Sequence, residues 1–369
     1  MSDNKPKNTI SQQSFFIINQ KTIMQGFFLG LFSFLVVIVL FAVWGGLMLN
    51  NKYQLFLFFS KMSHQDLVSL AKTIQPKKYK NSQVNFLILG TDETENRPDF
   101  PQLTDSIILA QLDTSTAQLT TLGLPRDLWI EPYKTKINAL YEYGKERYPD
   151  QPQQFPAEVI SEMTQLNLDH TLVLSMEQIA GLVELVGGVL INVENGFIDD
   201  QFPRNDVDIQ VEHDPEKLYE TVEFAPGPNL MNGETVLKYI RSRHSQDLTE
   251  GNDLARSQRQ QQVLMAIINK LSQPDLHWKH PEVTGSLVKF YQDNYGDFLP
   301  LDQVISMVLA MGKKVTQLQF NSLTLAEYPE NPEGLIEHPL ALRPYQNQWV
   351  YLVKDLSAFQ QFIKQSFNN

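Results

Sequence analysis

Two arginines and a glutamine occur in the run RSQRQQ, where a helix would place them on one face. At 100° per residue, Arg256, Arg259 and Gln260 fall within an arc of about 100°. Leu264 and Ile268 lie on a different arc, which predicts a core-facing side. Arginine carries a planar fork of donors that matches phosphate oxygens in pairs. The polar stripe therefore predicts a phosphate site, although its pattern alone is more often that of a solvated helix face.

A second pair of arginines, Arg241 and Arg243, stands in the run YIRSRH. Residues i and i+2 of an ideal helix point apart, so these two converge only if the helix ends near Ser242 and the chain then extends. The dipole of a helix also attracts cations to its C-terminus, so the pair taken alone is better explained as helix-end residues.

The run LPRD places Arg126 and Asp127 directly after a predicted strand, with Lys136 and Asn138 on the next segment. Loops at strand ends form the ligand-binding edge of α/β sheets and commonly carry function. The run therefore predicts a further part of a binding site.

Two acidic residues stand at the ends of adjacent predicted strands. Asp92 lies two residues after Gly90, and Asp105 lies just before the next strand. Mg²⁺ binds few carboxylates together with phosphate oxygens, so this pair predicts a Mg²⁺ site. The histidines are scattered without zinc spacing, and the chain has no Walker loop, nucleophile elbow or dinucleotide-binding glycine motif. The absence of cysteine excludes disulfides and thiol catalysis.

Strands and helices alternate along the chain. Predicted strands lie at Val84–Leu89, Ser106–Leu112, Gln118–Leu124, Thr171–Leu174, Val189–Val193 and Trp349–Val353. Predicted helices lie at Ile137–Tyr148, Ala157–Leu166, Met176–Val186, from the cap Asn232 to Arg241, from about Asp253 to Leu271, and at Leu356–Ser366. This alternation predicts an α/β fold, a layered α-β-α domain with a mixed central sheet.

An apolar segment precedes that domain, because residues 22–51 contain no charged side chain. About 20 such residues cross a hydrocarbon core of roughly 30 Å, so residues 25–49 are predicted to form one transmembrane helix. A cleaved signal peptide normally has a shorter apolar region and a small-residue cleavage site. Residues 1–24 then form an N-terminal tail, and residues 50–82 a juxtamembrane spacer. Residues 53–74 are compatible with a helix, but we favour a solvated spacer.

The net charge of −12 argues against a nucleic-acid partner that relies on a broad basic surface. A local cluster of arginines still binds phosphate, because local potential matters more than net charge. The expected partners are therefore phosphate groups and the lipid bilayer, and no nucleic acid.

Several runs, in this order, resemble one protein family. NFLILGTDE, LTDSIIL, GLPRDLW and KINALYEYG look like the first half of a LytR-CpsA-Psr domain. LVELVGGVLINV, FAPGPNLMNGETVLKYIRSRH and NDLARSQRQQQVL look like its second half. The resemblance runs from about Val84 to Gln262 and continues weakly to WVYLVKDLSAF near the C-terminus.

Members of that family are membrane-anchored proteins with an outward-facing domain. They move a glycopolymer from a polyprenyl-pyrophosphate carrier onto peptidoglycan or another wall acceptor. The resemblance therefore implies a transferase in the cell membrane, with residues 1–24 cytoplasmic and residues 83–369 forming the extracytoplasmic LytR-CpsA-Psr domain. The expected donor is a polyprenyl-pyrophosphate-linked glycopolymer, and the expected acceptor is peptidoglycan or another wall glycan.

The resemblance also implies roles for individual residues. Asp92 and Asp105 match acidic positions associated with Mg²⁺, and Asp253 matches the acidic residue that opens the last of these helices. The residues that match the pyrophosphate site are Arg126, Arg241, Arg243, Arg256, Arg259 and Gln260. In the implied reaction, Mg²⁺-assisted phosphoryl transfer, an acceptor hydroxyl attacks phosphorus and polyprenyl phosphate leaves. The expected catalytic residues are Arg126, Arg256 and Asp105, with Asp105 as the proton acceptor.

The chain departs from the family pattern in the first half. Leu103 stands two residues before Asp105, where the family usually has an arginine. Many members also have an arginine soon after the first aspartate, but here Glu93 and Thr94 follow Asp92. Arg97 is a candidate replacement from the same loop. The missing arginine supports the alternative of a non-catalytic membrane-anchored receptor for pyrophosphate lipids or wall glycans. A polyprenyl-pyrophosphate hydrolase, with water as the acceptor, is the other alternative.

The lipid tail of such a carrier requires a long apolar groove. The apolar helix over residues 179–186 is a candidate lining, although such residues more often belong to an ordinary core.

Overall fold

A computed structural model gives the fold of most of the chain. The residues that it describes are 38–39, 45–91, 102–204, 207, 214–245, 247, 250–325 and 334–367. The chain divides into two compact units, Met1–Gln54 and Leu55–Asn369. Most of the predicted transmembrane segment lies outside the described residues. Within the described ranges, no helix has the length and apolar character needed to cross a membrane.

In the first unit, residues 45–54 are helical. The second unit contains every strand and helix labelled below, and its residues 55–60 are also helical. Strands β1 to β13 are, in chain order, Gln83–Thr91, Thr104–Asp113, Gln118–Gly123, Trp129–Ile130, Thr135–Lys136, His170–Ser175, Val189–Val193, Phe197–Pro203, Tyr219–Phe224, Gly227–Met231, Gln319–Leu323, Ile336–Glu337 and Leu352–Val353. Helices α1 to α11 are His64–Thr73, Leu140–Arg147, Gln154–Thr164, Met176–Leu185, Pro215–Leu218, Gly233–Arg241, Asp253–Leu271, Pro274–Lys279, Pro281–Asn294, Leu301–Met311 and Leu356–Phe367.

The central sheet has five strands in the order β11-β3-β2-β1-β6. Strand β2 is antiparallel to both β1 and β3. The outer pairs, β1 with β6 and β3 with β11, are parallel. The predicted mixed central sheet is therefore confirmed.

Helices cover both faces of this sheet, because its strands alternate their side chains between two cores. Leu87 and Leu89 of β1 pack with residues of α2, α3 and α11 in one core. Ile88, between them, packs on the opposite side against Leu264 and Ile268 of α7. A register shift of one residue would exchange these faces, so the sheet pattern fixes which helices lie on which side.

A second core lies among α4, α6, α7 and the strands β7 to β10. Its helices begin at side-chain caps, as the sequence predicts. The side chain of Asn232 accepts a hydrogen bond from the backbone N–H of Thr235 at 2.9 Å. Asn252 caps α7 in the same way, accepting from Leu254 and Ala255, so this helix begins at Asp253.

Three predicted segments differ from the structure. The helix predicted from Ile137 begins as the 3₁₀ turn Ile137–Ala139, and its α-helical part is α2. The last predicted strand is reduced to β13, because β12 offers it only two residues to pair with. The segment that we favoured as a solvated spacer contains α1, whose first turn is stabilised by a capping box between Ser63 and Asp66.

Candidate functional site

Asp105 and Arg126 meet at one edge of the central sheet. Asp105 is the second residue of β2, and Arg126 follows β3. Because these two strands are antiparallel, the start of one lies beside the end of the other. Nη1 of Arg126 donates a hydrogen bond of 2.8 Å to Oδ1 of Asp105, and both side chains remain partly exposed.

The backbone around Arg126 is held on both sides. Its carbonyl accepts a hydrogen bond from the N–H of Asn138 at 3.2 Å, and the carbonyl of Asp127 accepts one from Tyr351 at 2.9 Å. The carboxylate of Asp127 also binds Nζ of Lys136 at 2.6 Å. Lys136 and Asn138 thus contribute to the site by fixing this loop.

Three guanidinium groups act on the carboxylate of Asp105. Burial raises its pKa, but the positive charges of Arg126, Arg256 and Arg243 and the hydrogen bond from Arg126 lower it by more. The net pKa of Asp105 therefore lies below its ordinary value of 3.8, and the group is a carboxylate at neutral pH. Arginines from three different segments thus surround one acidic side chain.

The polar stripe of α7 is buried, so it is not a solvated helix face. Arg256 is 5% exposed, Arg259 is 2% exposed and Gln260 is 7% exposed. Charged side chains are almost never this buried unless they are paired or serve a site. The packing of α7 against the sheet explains the burial.

A glycine and a glutamine allow that packing. A Cβ atom on Gly123, the last residue of β3, would lie 2.1 Å from Oγ of Ser257 in α7. Beside this contact, Oε1 of Gln261 accepts hydrogen bonds from Thr121 at 2.8 Å and from Ser322 at 2.9 Å. Close approach at Gly123 therefore holds the first turns of α7 against the sheet, next to the edge that carries Asp105.

Arg259 binds the protein itself. Its Nε donates to the carbonyl of Tyr239 at 3.1 Å and its Nη2 to the carbonyl of Ser242 at 2.5 Å. Its Nη1 donates to Oε2 of Glu250 at 2.8 Å, and the guanidinium lies 4.6 Å from the ring centre of Phe197. The structure therefore places Arg259 behind the cluster around Asp105.

The pair Arg241 and Arg243 separates at the end of α6. The helix ends at Arg241, and Ser242 is extended with φ −58° and ψ 134°. Arg243 is exposed and close enough to Asp105 to lower its pKa. Arg241 instead lines a different cavity of about 310 Å³, together with Glu220 and Lys238 among others. The structure thus brings one member of the pair to Asp105.

The structure describes one member of the predicted acidic pair, Asp105. Asp92, like the candidate replacement Arg97, lies outside the described residues. Within the ranges that the structure covers, no group of three or more histidine or acidic residues is arranged to hold a metal ion. Asp105 is therefore the predicted metal ligand whose position is known.

A small apolar cavity of about 70 Å³ lies on the face of the sheet that packs against α7. Ser106, the neighbour of Asp105, and Gln260, one turn beyond Arg256, both line it. Nε2 of Gln260 has no hydrogen-bond partner among the described residues. The remaining lining residues are almost all apolar, namely Ile88, Gly90, Ile108, Leu174, Met176, Gln178, Ile179, Leu182, Ile240, Val263, Leu264, Ile267 and Tyr295.

Within the helix over residues 179–186, only part of the apolar surface faces this cavity. Ile179 and Leu182 line it, whereas Val183 and Val186 belong to the core behind. A cavity of this size has room for ordered water or for the first carbons of an apolar chain.

No sequence pattern singles out Asp199, in β8, which is fully buried and contacts the segment that carries Arg243. It stands beside Asp200 in the run FIDDQF, whose composition is that of an ordinary turn. Two of its partners, Arg243 and His244, lie more than forty residues further along the chain, so only the fold reveals them.

Comparison with known proteins gives a family and relatives. The model of the LytR_cpsA_psr family matches residues 56–361. Biofilm regulatory protein A of Streptococcus mutans is 28% identical over 222 residues, which cover 57% of this chain and 49% of that protein. The polyisoprenyl-teichoic acid–peptidoglycan teichoic acid transferase TagV of Bacillus subtilis is 29% identical over 174 residues, covering 46% of this chain and 39% of that protein. The chain thus spans about half the length of these curated relatives or less.

Solved structures share the fold. TagV of B. subtilis has a TM-score of 0.53 at 17% identity, with 78% of this chain and 98% of that chain covered. TagT bound to LIIa-WTA has a TM-score of 0.52 at 18% identity, with 80% and 93% covered. At this identity the likeness shows the mixed α/β architecture alone.

Proposed function

Because the chain belongs to the LytR-CpsA-Psr family, we propose that it transfers a glycopolymer from a polyprenyl-pyrophosphate carrier to peptidoglycan or another cell-wall acceptor. Two relatives support the reaction class: TagV of B. subtilis and TagU of Bacillus cereus, the latter 25% identical, are both named as teichoic acid transferases. Others, such as the regulatory protein MsrR of Staphylococcus aureus, are named as regulators, so the proposal must also stand on the site.

The observation that carries the proposal is that arginine charges and an apolar cavity lie at neighbouring positions of β2 and α7. Arg126, Arg243 and Arg256 act on Asp105, and the next residue, Ser106, lines the cavity. A prenyl pyrophosphate has the same two parts, an anionic head of about −2 charge and an apolar chain. Guanidinium groups match the phosphate oxygens in pairs, and the cavity accepts the first part of the chain.

The arginines supply most of the chemistry that phosphoryl transfer needs. The acceptor hydroxyl attacks phosphorus and loses its proton to water. The bond between that phosphorus and the bridging oxygen breaks, and polyprenyl phosphate leaves with the electron pair of that bond. Such reactions gain mainly from positioning and from fixed positive charge where negative charge develops. We assign this role to Arg126 and Arg256, the two guanidiniums with the strongest effects on Asp105.

Asp105 suits the binding of a cation better than the acceptance of a proton. A carboxylate whose pKa is lowered is a weaker base, whereas a partly exposed ionised carboxylate is the kind of oxygen ligand that Mg²⁺ takes. Asp105, together with Asp92, would hold the ion, and the pyrophosphate oxygens would supply further ligands. When bound, Mg²⁺ would neutralise part of the charge on those oxygens.

We also propose that residues 25–49 anchor the chain in the cell membrane, with residues 83–369 outside. The uncharged stretch over residues 22–51 supports the anchor. A glycosylation or cysteine-labelling map of the two flanks tests the orientation. Labelling of positions in 83–369 only after membrane rupture would overturn it.

The transferase proposal is tested with the purified full-length chain, Mg²⁺, a prenyl-pyrophosphate-linked oligosaccharide and an acceptor glycan. The expected products are the acceptor joined to the sugar phosphate and free prenyl phosphate. Release of prenyl phosphate without acceptor would indicate a hydrolase instead. Omitting Mg²⁺ and replacing Asp105 by Asn are each expected to weaken donor binding. Without Mg²⁺ the Asp105→Asn substitution is expected to have little further effect, and in the Asp105→Asn variant the omission of Mg²⁺ is expected to have little further effect.

One observation favours a second candidate, a non-catalytic receptor. Leu103 stands where the family usually has an arginine, which removes one cation from the site. A receptor would bind the donor with the same dependence on Arg126 and Arg256 but release no prenyl phosphate under any acceptor condition.

A further inference from the structure

Asp199 is a buried carboxylate that binds the backbone of the arginine-bearing segment. Its Oδ2 accepts hydrogen bonds from the N–H groups of Arg243 at 3.0 Å and His244 at 3.2 Å, and its Oδ1 accepts one from Gln201 at 3.1 Å. The side chain is fully buried, and its residue pairs with Ser245 in an isolated antiparallel bridge. A buried carboxylate is costly unless hydrogen bonds compensate it, so the amides of Arg243 and His244 define where the chain after α6 must run.

Arg259 holds the same segment from the other side. Its Nη2 binds the carbonyl of Ser242, the residue before Arg243, and its Nε binds the carbonyl of Tyr239 in α6. Both carbonyls belong to the last turn of that helix or its end, where carbonyl groups lack helical partners. The donors of Arg259 thus bind these two carbonyls and Glu250.

The two buried groups also interact with each other. Burial lowers the pKa of Arg259, and the negative charges of Glu250 and Asp199 oppose this effect. The guanidinium stays protonated in proteins, so a cation and two carboxylates together stabilise the turn from α6 into the extended segment.

Arg243 is the residue that this arrangement presents to the site. Its side chain is exposed, yet its charge lowers the pKa of Asp105. An exposed arginine has many rotamers, and a mobile backbone would add further positions and weaken binding of a small anion. The peptide units on both sides of its Cα are fixed. The carbonyl of Ser242 and the N–H of Arg243 hold the unit before it, and the N–H of His244 holds the unit after it.

We propose that Asp199 and Arg259 are positioning residues that hold the backbone of Arg243 so that its guanidinium reaches a pyrophosphate beside Asp105. This proposal rests on the proposed function, since the anion is the head of its donor. Arg259 then acts through Arg243 and does not touch the donor. A purely structural role, in which the two residues only stabilise the end of α6, is the alternative that the experiment must exclude.

The test is a double-mutant cycle on the full-length protein, read by calorimetric affinity for geranylgeranyl pyrophosphate. The four proteins are the wild type, Asp199→Asn, Arg243→Ala and the double variant. Asp199→Asn keeps the shape of the side chain but turns one acceptor into a donor that faces an N–H group. Loss of one charge-assisted hydrogen bond to the donor costs about 1.5–3 kcal/mol, so we expect a loss of about 10- to 100-fold in the wild-type background. In the Arg243→Ala background we expect a loss of less than about twofold.

Equal losses of affinity in both backgrounds would overturn the proposal, because a merely structural residue weakens the site whether or not Arg243 is present. An unchanged affinity of Asp199→Asn would also overturn it. If the wild type itself does not bind geranylgeranyl pyrophosphate, the proposed function fails and the positioning role fails with it. A wild type that binds, with no coupling in the cycle, refutes the positioning role alone.

Two further variants keep the outcome decisive. Arg259→Lys retains a positive charge but loses the fork that binds the carbonyls of Tyr239 and Ser242. It replaces Asp199→Asn in the double-mutant cycle if thermal melting shows that Asp199→Asn does not fold. We expect the same coupling to Arg243→Ala.

Asp113→Asn is the matched control, because this carboxylate also accepts backbone N–H groups, from Ser115 at 2.7 Å and Thr116 at 3.1 Å, in the turn after β2. Its affinity for the probe is expected to equal that of the wild type.

Discussion

Arg126 donates a hydrogen bond of 2.8 Å to Asp105, although 21 residues separate them along the chain. The antiparallel pairing of β2 with β3 turns that separation into a contact at the edge of the sheet. Arg256 joins them from α7, which lies against the end of β3. The site is therefore assembled by sheet register and by one helix contact, and both can be tested.

Replacement of Arg126 by alanine is expected to weaken binding of geranylgeranyl pyrophosphate by roughly 10- to 100-fold. Hydrogen bonds to charged groups contribute about 1.5–3 kcal/mol, and about 1.4 kcal/mol corresponds to a tenfold change in affinity. Titration calorimetry measures the change. Arg147→Ala is the control, because Arg147 lines a different cavity with Tyr133 and Phe155. Equal losses in the two variants would contradict the assignment.

The charge of Asp105 is expected to give a defined pH dependence of stability. Its folded-state pKa is lowered, so its ionisation stabilises the fold fully above the unfolded pKa of about 3.9 and less as pH falls through the lower folded value. The difference in unfolding free energy between wild type and Asp105→Asn is therefore expected to be constant above about pH 5. At lower pH the wild type loses stability relative to Asp105→Asn. Urea titrations at several pH values measure it, and a change confined to pH above 5 would show that the pKa is raised instead.

Gly123→Ala is expected to destabilise the protein by about 1–3 kcal/mol, because the new methyl group overlaps Oγ of Ser257. Adding Ser257→Ala removes the overlapping hydroxyl and is expected to recover most of the loss. The urea midpoint measures both effects. Gly181→Ala is the control, since its Cβ would meet only Phe290, at 3.8 Å. A stable Gly123→Ala protein would mean that α7 tolerates displacement from the sheet.

Ile179→Trp is expected to fill the apolar cavity. The variant is expected to lose affinity for geranylgeranyl pyrophosphate by about tenfold or more, since excluding two or more methylenes from apolar surroundings costs about 0.8 kcal/mol for each CH₂. Affinity for inorganic pyrophosphate is expected to change little, because that ligand has no chain. Leu190→Trp, at a position 64% exposed in β7, is the control. Equal losses of affinity for both ligands would show that the prenyl chain does not bind in this cavity.

Local pattern determined much of the fold. The predicted ranges for β1, β2, β6 and α7 agree with the structure to within two residues at each end, since apolar runs, turn residues and caps act over short distances. The mixed sheet followed from the alternation of strands and helices. The strand at the C-terminus was predicted too long, because its length depends on a partner strand that local sequence does not specify.

The members of the site were harder to predict. Sequence reasoning singled out Asp105, Arg126, Arg243 and Arg256, and the structure brings these together. Arg259 and Arg241 carry the same chemical group in the same motifs, yet one binds backbone carbonyls and the other lines a separate cavity. Helical spacing gives the direction of a side chain about the helix axis, but the partner that the side chain contacts depends on the neighbouring elements.

By itself, then, the sequence determined which residue types could bind a diphosphate and which strands and helices would carry them. Only the tertiary structure decided which arginines meet Asp105, that the polar stripe of α7 is buried, and that Asp199 holds the segment of Arg243. The physical reason is that propensity, periodicity and capping act within a few residues. Contacts such as that between Asp199 and Arg243 depend on how distant segments pack, and packing is a property of the whole fold.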